Sequence, residues 1–143
     1  MPAAQRKITI DRPVDQVFDF FTDHGNDQKW RRHVKEIDPK RQSPVGTTIH
    51  QVVSGPGGRG IPSDIEVTAN EPPSRYAFRV VAGPVRPVGE LTFTPSGTGT
   101  EVSMSLSAEL SGIKKVFMAR AVQKSMDAEV GALDTAKRLI EAS

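Results

Sequence analysis

Three histidines, one tyrosine and no cysteine set narrow limits on the chemistry open to this chain. His24, His33 and His50 never fall at the i, i+4 spacing of a helical metal pair, and no carboxylate is placed to complete a site, so no metal is expected. Without a thiolate, and without a Gly-x-Ser-x-Gly elbow, nucleophilic catalysis is not expected either. Acid–base chemistry remains. The candidates are His50, Glu66, Tyr76 and Arg79, all in stretches patterned as strands. Any of them that faces inward could polarise a carbonyl or shuttle a proton. An alternating sheet also turns half of such residues to water. Gly55-x-Gly57-x-x-Gly60 spells the dinucleotide-binding string but leads into Pro62 and another strand. It lacks the helix whose N-terminus would hold a pyrophosphate, so no cofactor is expected and the stretch reads as a loop.

The elements that must position these residues follow from hydrophobic period. Gln5 to Ile10 alternates as a first strand. Pro13 suits the first position of a helix carrying Val14, Val17, Phe18 and Phe21 on one face. That helix should end near Asp23–His24–Gly25, with Gly25 as a left-handed cap. Asn26 or Asp27 can cap a second short helix through Arg32, which carries Trp30. Strand signals then run over Val34–Pro39, Thr47–Ser54 (with His50 in mid-strand), Asp64–Ala69, Arg75–Ala82, Gly89–Thr94 and Thr100–Leu110. Turns fall at Asn70–Glu71–Pro72–Pro73, Gly83–Pro84 and Pro95–Ser96–Gly97. From Lys114 to Glu141 the period changes to helical. Ala119, Val122, Met126, Val130, Leu133 and Ile140 make one stripe on a helix ~40 Å long. Gly131, at a cost of ~1 kcal/mol against alanine, marks a close approach or a bend. Phe117 lies opposite the stripe. The order predicts an α+β fold, in which an antiparallel sheet is covered on its apolar face by one long helix.

At 143 residues the chain reads as one domain over 1–143. No apolar run is long enough to span a bilayer, so no stable membrane insertion is expected. With no secretory signal in the first residues and no cysteine, a cytoplasmic location is the default expectation. Net charge is +2, from 19 basic and 17 acidic residues. The densest basic patch, Lys29, Arg31, Arg32, His33 and Lys35, includes one aromatic residue, Trp30. A nucleic-acid groove needs a longer stripe, so the patch reads as a solvated face and no nucleic-acid partner is expected.

Several strings in order carry a resemblance. They are Ile10-x-x-Pro13-x-x-x-Val17–Phe18, Asp23-x-x-Asn26-x-x-x-Trp30, Val45–Gly46–Thr47, Val67-x-x-x-Glu71–Pro72–Pro73-x-Arg75–Tyr76, Gly83–Pro84 and Gly99–Thr100–Glu101–Val102. Together they resemble the START-like superfamily, also called SRPBCC or helix-grip proteins, and within it the polyketide cyclase/dehydrase and lipid-transport group. The resemblance implies a curved antiparallel sheet of about six or seven strands wrapped around the long C-terminal helix. It also implies two short helices after the first strand and an apolar cavity between the layers. Phe21, Trp30, Val67, Phe78, Phe93, Met104, Val116, Ala119, Val122 and Met126 could line that cavity. The apolar inventory and the resemblance together imply binding of a small hydrophobic or aromatic ligand, lipid- or polyketide-like, rather than catalysis. A polyketide cyclase, aromatase or dehydratase using acid–base residues in the cavity is the alternative. A protein-interaction module, for which Phe117 is the cue, is another, and a homodimer stays open.

Overall fold

A computed structural model describes residues 2–83, 85–110 and 113–143, without the side chains of 56 and 113–117. Val116, Phe117 and Pro84 are therefore outside the described residues in whole or in side chain. In chain order the elements are β1 (Ala3–Ile10), α1 (Val14–Thr22), a 3-10 turn (His24–Asn26), α2 (Asp27–Trp30), β2 (Val34–Ile37), β3 (Thr48–Ile49) and β4 (Gln51–Ser54). There follow β5 (Gly60–Pro62), β6 (Ile65–Glu71), β7 (Arg75–Val80), β8 (Val88–Ser96), β9 (Gly99–Ser107), α3 (Ile113–Gly131) and α4 (Leu133–Glu141).

Strand β9 shows how pattern becomes structure. Val102, Met104 and Leu106 are buried while Glu101, Ser103, Ser105 and Ser107 are half-exposed. A strand with period two can cover a core with one face and meet water with the other. Six strands pair in the order β1-β9-β8-β7-β6-β3, and β2-β4-β5 form a second, small sheet. The long helix lies across β1 and β9, and the short α2 packs against α4. This is the expected α+β helix-grip arrangement.

Four local expectations are corrected. Gly25 is not a left-handed cap: α1 ends at Thr22, Asp23 turns to extended backbone, and its Oδ1 accepts a 2.9 Å bond from Gly25 N to start the next turn. An aspartate cap is the stronger local signal there, because its carboxylate satisfies an orphan N–H. The second helix stops at Trp30, not Arg32. Thr47–Ser54 is not one strand. Thr48 and Ile49 pair with β6, Gln51 to Ser54 pair with β2 and β5, and His50 stands at the handover. Finally, the C-terminal helix is two segments. Ala132 N–H is shared between Ala128 O (3.0 Å) and Glu129 O (3.2 Å), and Thr135 N bonds Ala132 O, a tightened turn beside Gly131.

The two ends of the helix–sheet layer differ. At the α4 end the inward face is fully buried: Leu133, Ala136 and Ile140 are at most 2% exposed. Polar ties close the edge, with Glu141 Oε2 accepting from Asp11 N (2.8 Å) and Lys137 Nζ (2.7 Å), and Lys137 also donating to Thr9 O. At the α3 end Val122, Met126 and Val130 are buried, but Ala4, Phe78, Val85, Leu110 and Met118, packed at the margin of the same core, are only partly buried.

Candidate functional site

The two short turns after α1 fold three ionisable side chains, His24, Asp27 and Arg31, onto one another. His24 and Asp27 are three apart, and Asp27 and Arg31 four apart, so helical turns bring them to one side. His24 Nδ1 lies 2.9 Å from Asp27 Oδ2, and Arg31 Nη1 donates to the same oxygen at 2.9 Å. Arg31 Nη1 also reaches Gln51 Oε1 on β4 at 3.2 Å. The far side of the guanidinium, Nε, meets Glu129 Oε1 from α3, and Glu129 Oε2 meets His33 Nε2. At the other end of the chain, His24 Nε2 lies 2.8 Å from the hydroxyl of Tyr76, on β7 in the main sheet. His24, Asp27, Gln51 and Tyr76 are each at most 4% exposed, and Arg31 9%. One polar chain thus runs from the core at Tyr76 to the half-exposed His33.

Its electrostatics are those of buried ions in alternating sign. Burial alone would raise the Glu129 carboxyl. The Arg31 charge and the hydrogen bond and charge of His33 more than offset that, holding it at about 2. Burial lowers the Arg31 guanidinium, but Glu129 and Asp27 leave it raised overall. The Tyr76 phenol is pushed above its ordinary value by burial first and by the Asp27 charge second. Tyr76 therefore stays protonated. Because a carboxylate only accepts, a neutral His24 carries its proton on Nδ1 and accepts the Tyr76 O–H at Nε2. Hydroxyl, imidazole and carboxylate are in line, with the tautomer set from behind.

The acid–base candidates named from sequence separate here. Tyr76 joins the buried chain. His50 is about half exposed and pairs with Asp64 Oδ1 at 2.7 Å, while Glu66 and Arg79 pair on the outer face of the sheet at 2.6 Å. Of the apolar candidates, Phe21, Trp30, Val67, Phe93, Met104, Val122 and Met126 share one buried cluster, with Phe78 packed at its margin. Ala119 is half-buried, and the Val116 side chain lies outside the described residues. The aromatic members meet edge to face: Phe18 with Phe93 and Phe21 with Trp30, each pair 5.2 Å apart.

His24, Asp27, Arg31, His33, Gln51 and Glu129 were not singled out as a site from sequence. Arg31 and His33 read there as part of a solvated basic face. A usable signal did exist: Glu129 is seven residues after Val122 and four before Leu133, so an acid occupies a position on the apolar stripe.

Cross-strand register places the sheet side of the layer. Val67, Phe78, Gly89, Leu106 and Ala4 stand in one row across five strands. A Cβ at Gly89 would come within 2.4 Å of Phe78 Cζ and 2.8 Å of Leu106 Cδ2, so the missing side chain is what lets the Phe78 ring lie across the strand. The next row inward holds Tyr76, Leu91 and Met104. An open depression of about 350 Å³ is lined by outer-face residues such as Arg75, Ala77, Arg79, Glu90 and Ser105 together with Phe78, Gly89 and Leu106 of the first row. Its arginines are each tied to a glutamate.

The comparisons agree on fold. Residues 1–137 match the family model described as polyketide cyclase / dehydrase and lipid transport. A solved protein from Thermus thermophilus superposes with a TM-score of 0.80 at 21% identity, over 99% of this chain and 98% of that one. One from Deinococcus radiodurans gives 0.71 at 21%, over 98% of each chain. A START superfamily protein from Mycobacterium smegmatis gives 0.74 at 10%, over 96% and 98%. No curated protein matches the chain in sequence.

Proposed function

Because the chain belongs to the polyketide cyclase/dehydrase and lipid transport family, we propose that it binds a small hydrophobic or aromatic ligand between the sheet and the first half of the C-terminal helix. The observation that carries this reading is the difference between the two ends of that layer. The α4 end has a fully buried aliphatic face and ion ties, whereas the α3 end presents partly buried Phe78, Val85, Leu110 and Met118 at the margin of the same core. Ligand sites are concave, mostly apolar and carry few polar groups. Phe78, Met104, Ala119, Val122 and Met126 are the proposed walls, with Phe21, Trp30, Val67 and Phe93 deeper in. Methionines suit such walls because they adapt to varied shapes. Native mass spectrometry and displacement of a fluorescent lipid, run across fatty acids, phospholipids and aromatic polyketide-like compounds, test it. At least one class should bind in one-to-one stoichiometry. Silence across the whole panel would end the reading.

A second reading, acid–base catalysis on the bound ligand, is favoured by the alignment of Tyr76, His24 and Asp27. Here Tyr76 would pass its proton to His24 Nε2 while taking one from the ligand, with Asp27 stabilising the imidazolium. Tyr76→Phe should then cut turnover of a cyclising or dehydrating substrate by the ~100-fold or more usual for a general acid–base group, while ligand affinity stays within a few-fold. Turnover unchanged in Tyr76→Phe leaves binding as the function.

A further inference from the structure

Two unserved polar atoms of the buried region belong to one short helix, α2, and stand three residues apart in sequence. Among the described residues, the buried side-chain atoms without a hydrogen-bond partner are Asn70 Oδ1, Arg31 Nε, which is in ion-pair reach of Glu129, and the pair Trp30 Nε1 and Asp27 Oδ1. The residues of that pair are 3% and 2% exposed. Three positions apart on α2, they share one side of the turn. Asp27 spends its other oxygen on His24 and Arg31, and the Trp30 ring is fixed by the edge of Phe21 and by the Arg31 guanidinium, 5.9 Å from its centroid. Unpartnered groups this deep call for a reason, because an unmade buried bond costs roughly 1–3 kcal/mol.

We propose that Trp30 Nε1 and Asp27 Oδ1 form the polar end of the ligand site and that the group they take is a hydroxyl, making the ligand a hydrophobic alcohol or phenol. This rests on the binding reading above. The chemistry selects the group. An indole N–H only donates and a carboxylate oxygen only accepts, so the complement must do both at one atom. A carbonyl serves Trp30 alone. An ammonium serves Asp27 alone. A carboxylate is repelled by Asp27.

Three ligands of one shape separate the outcomes: 2-naphthol, 2-methoxynaphthalene and 2-methylnaphthalene, titrated by calorimetry into the intact protein. 2-Naphthol should bind about tenfold or more tightly than 2-methylnaphthalene, the worth of about one net hydrogen bond. The methoxy compound, which cannot donate, should fall below 2-naphthol. Trp30→Phe should bring 2-naphthol to within about twofold of 2-methylnaphthalene, so the ratio of the two affinities is the readout whatever the change of wall does to both. Should that variant fail to fold, the wild type supplies its own reporter. Trp30 is the chain's sole tryptophan, so its single indole N–H cross-peak should move further downfield with 2-naphthol than with 2-methylnaphthalene, whose ring current is nearly the same. Equal affinities for the alcohol and the hydrocarbon, or a preference that survives Trp30→Phe, overturn the hydroxyl site while leaving apolar binding intact. Binding of none of the three overturns the hydroxyl site as placed here, and silence across the lipid and polyketide panel as well overturns the binding reading beneath it.

Discussion

Glu129 carries a charge at a position where the helix stripe calls for a methyl group. Burial would raise its carboxyl above the ordinary 4.5, but Arg31 and His33 outweigh burial and hold it at about 2. Between those values the unfolded chain binds the proton and the folded chain does not. The stabilisation is therefore complete above about pH 4.5 and is lost as pH falls toward 2. Glu129→Gln should cost about 3 kcal/mol at pH 7, the usual penalty for leaving a buried partner unpaired. Urea unfolding at pH 7, 4 and 3 should show the gap between variant and wild type narrowing with acid. A gap of constant size would place the stabilising charge elsewhere. The local half of this network carries a signal in the sequence, His24, Asp27 and Arg31 at helical spacing, but reading His24 into a helix-ending turn and Arg31 into a basic face hides it. The Glu129 half was not legible, because a partner 98 positions along the chain from Arg31 is found by folding, not by spacing. Without it, Arg31 and His33 are indistinguishable from a wet basic patch.

Elements were easier to read than side-chain roles. The alternation of Val102, Met104 and Leu106, and the stripe of Val122, Met126 and Val130, survive directly as buried faces. What the period hides is a change of partner. The β-branched run around His50 continues evenly although its two halves belong to different sheets, because side-chain alternation reports faces and not neighbours. The glycines divide on the same ground. Gly131 sits in helical backbone with nothing within 4 Å of an added Cβ, so Gly131→Ala should stabilise by about 0.5–1 kcal/mol through reduced chain entropy. Gly89→Ala should destabilise by about 1–3 kcal/mol, because its methyl collides with Phe78 and Leu106 inside a packed row. Thermal midpoints of the two variants should thus move in opposite directions. If Gly89→Ala is neutral, the Phe78 ring is free to leave the row, and its part as a fixed wall of the site is wrong.

For the molecule as a whole, the fold divides its labour along the helix. The α4 half, locked to β1 through Glu141, Lys137 and Asp134, holds the sheet closed. The α3 half meets apolar residues that keep part of their surface in water. The family description joins cyclase, dehydrase and lipid transport in one phrase, and fold alone does not choose among them. In the readings proposed above, the buried Tyr76 and Trp30 would bear that choice. Local stability should follow the same division, because regions with fewer buried contacts open more readily and ligands protect what they cover. Native-state hydrogen exchange with and without 2-methylnaphthalene reads it directly. Bound ligand should slow exchange about tenfold at Phe78, Val80, Glu90 and Val122, the amides on the partly open side. Leu133 to Ile140 should not change. Protection spread evenly along both halves would mean that the ligand stabilises the protein without being seated at the α3 end, and the walls proposed for the site would have to be drawn elsewhere.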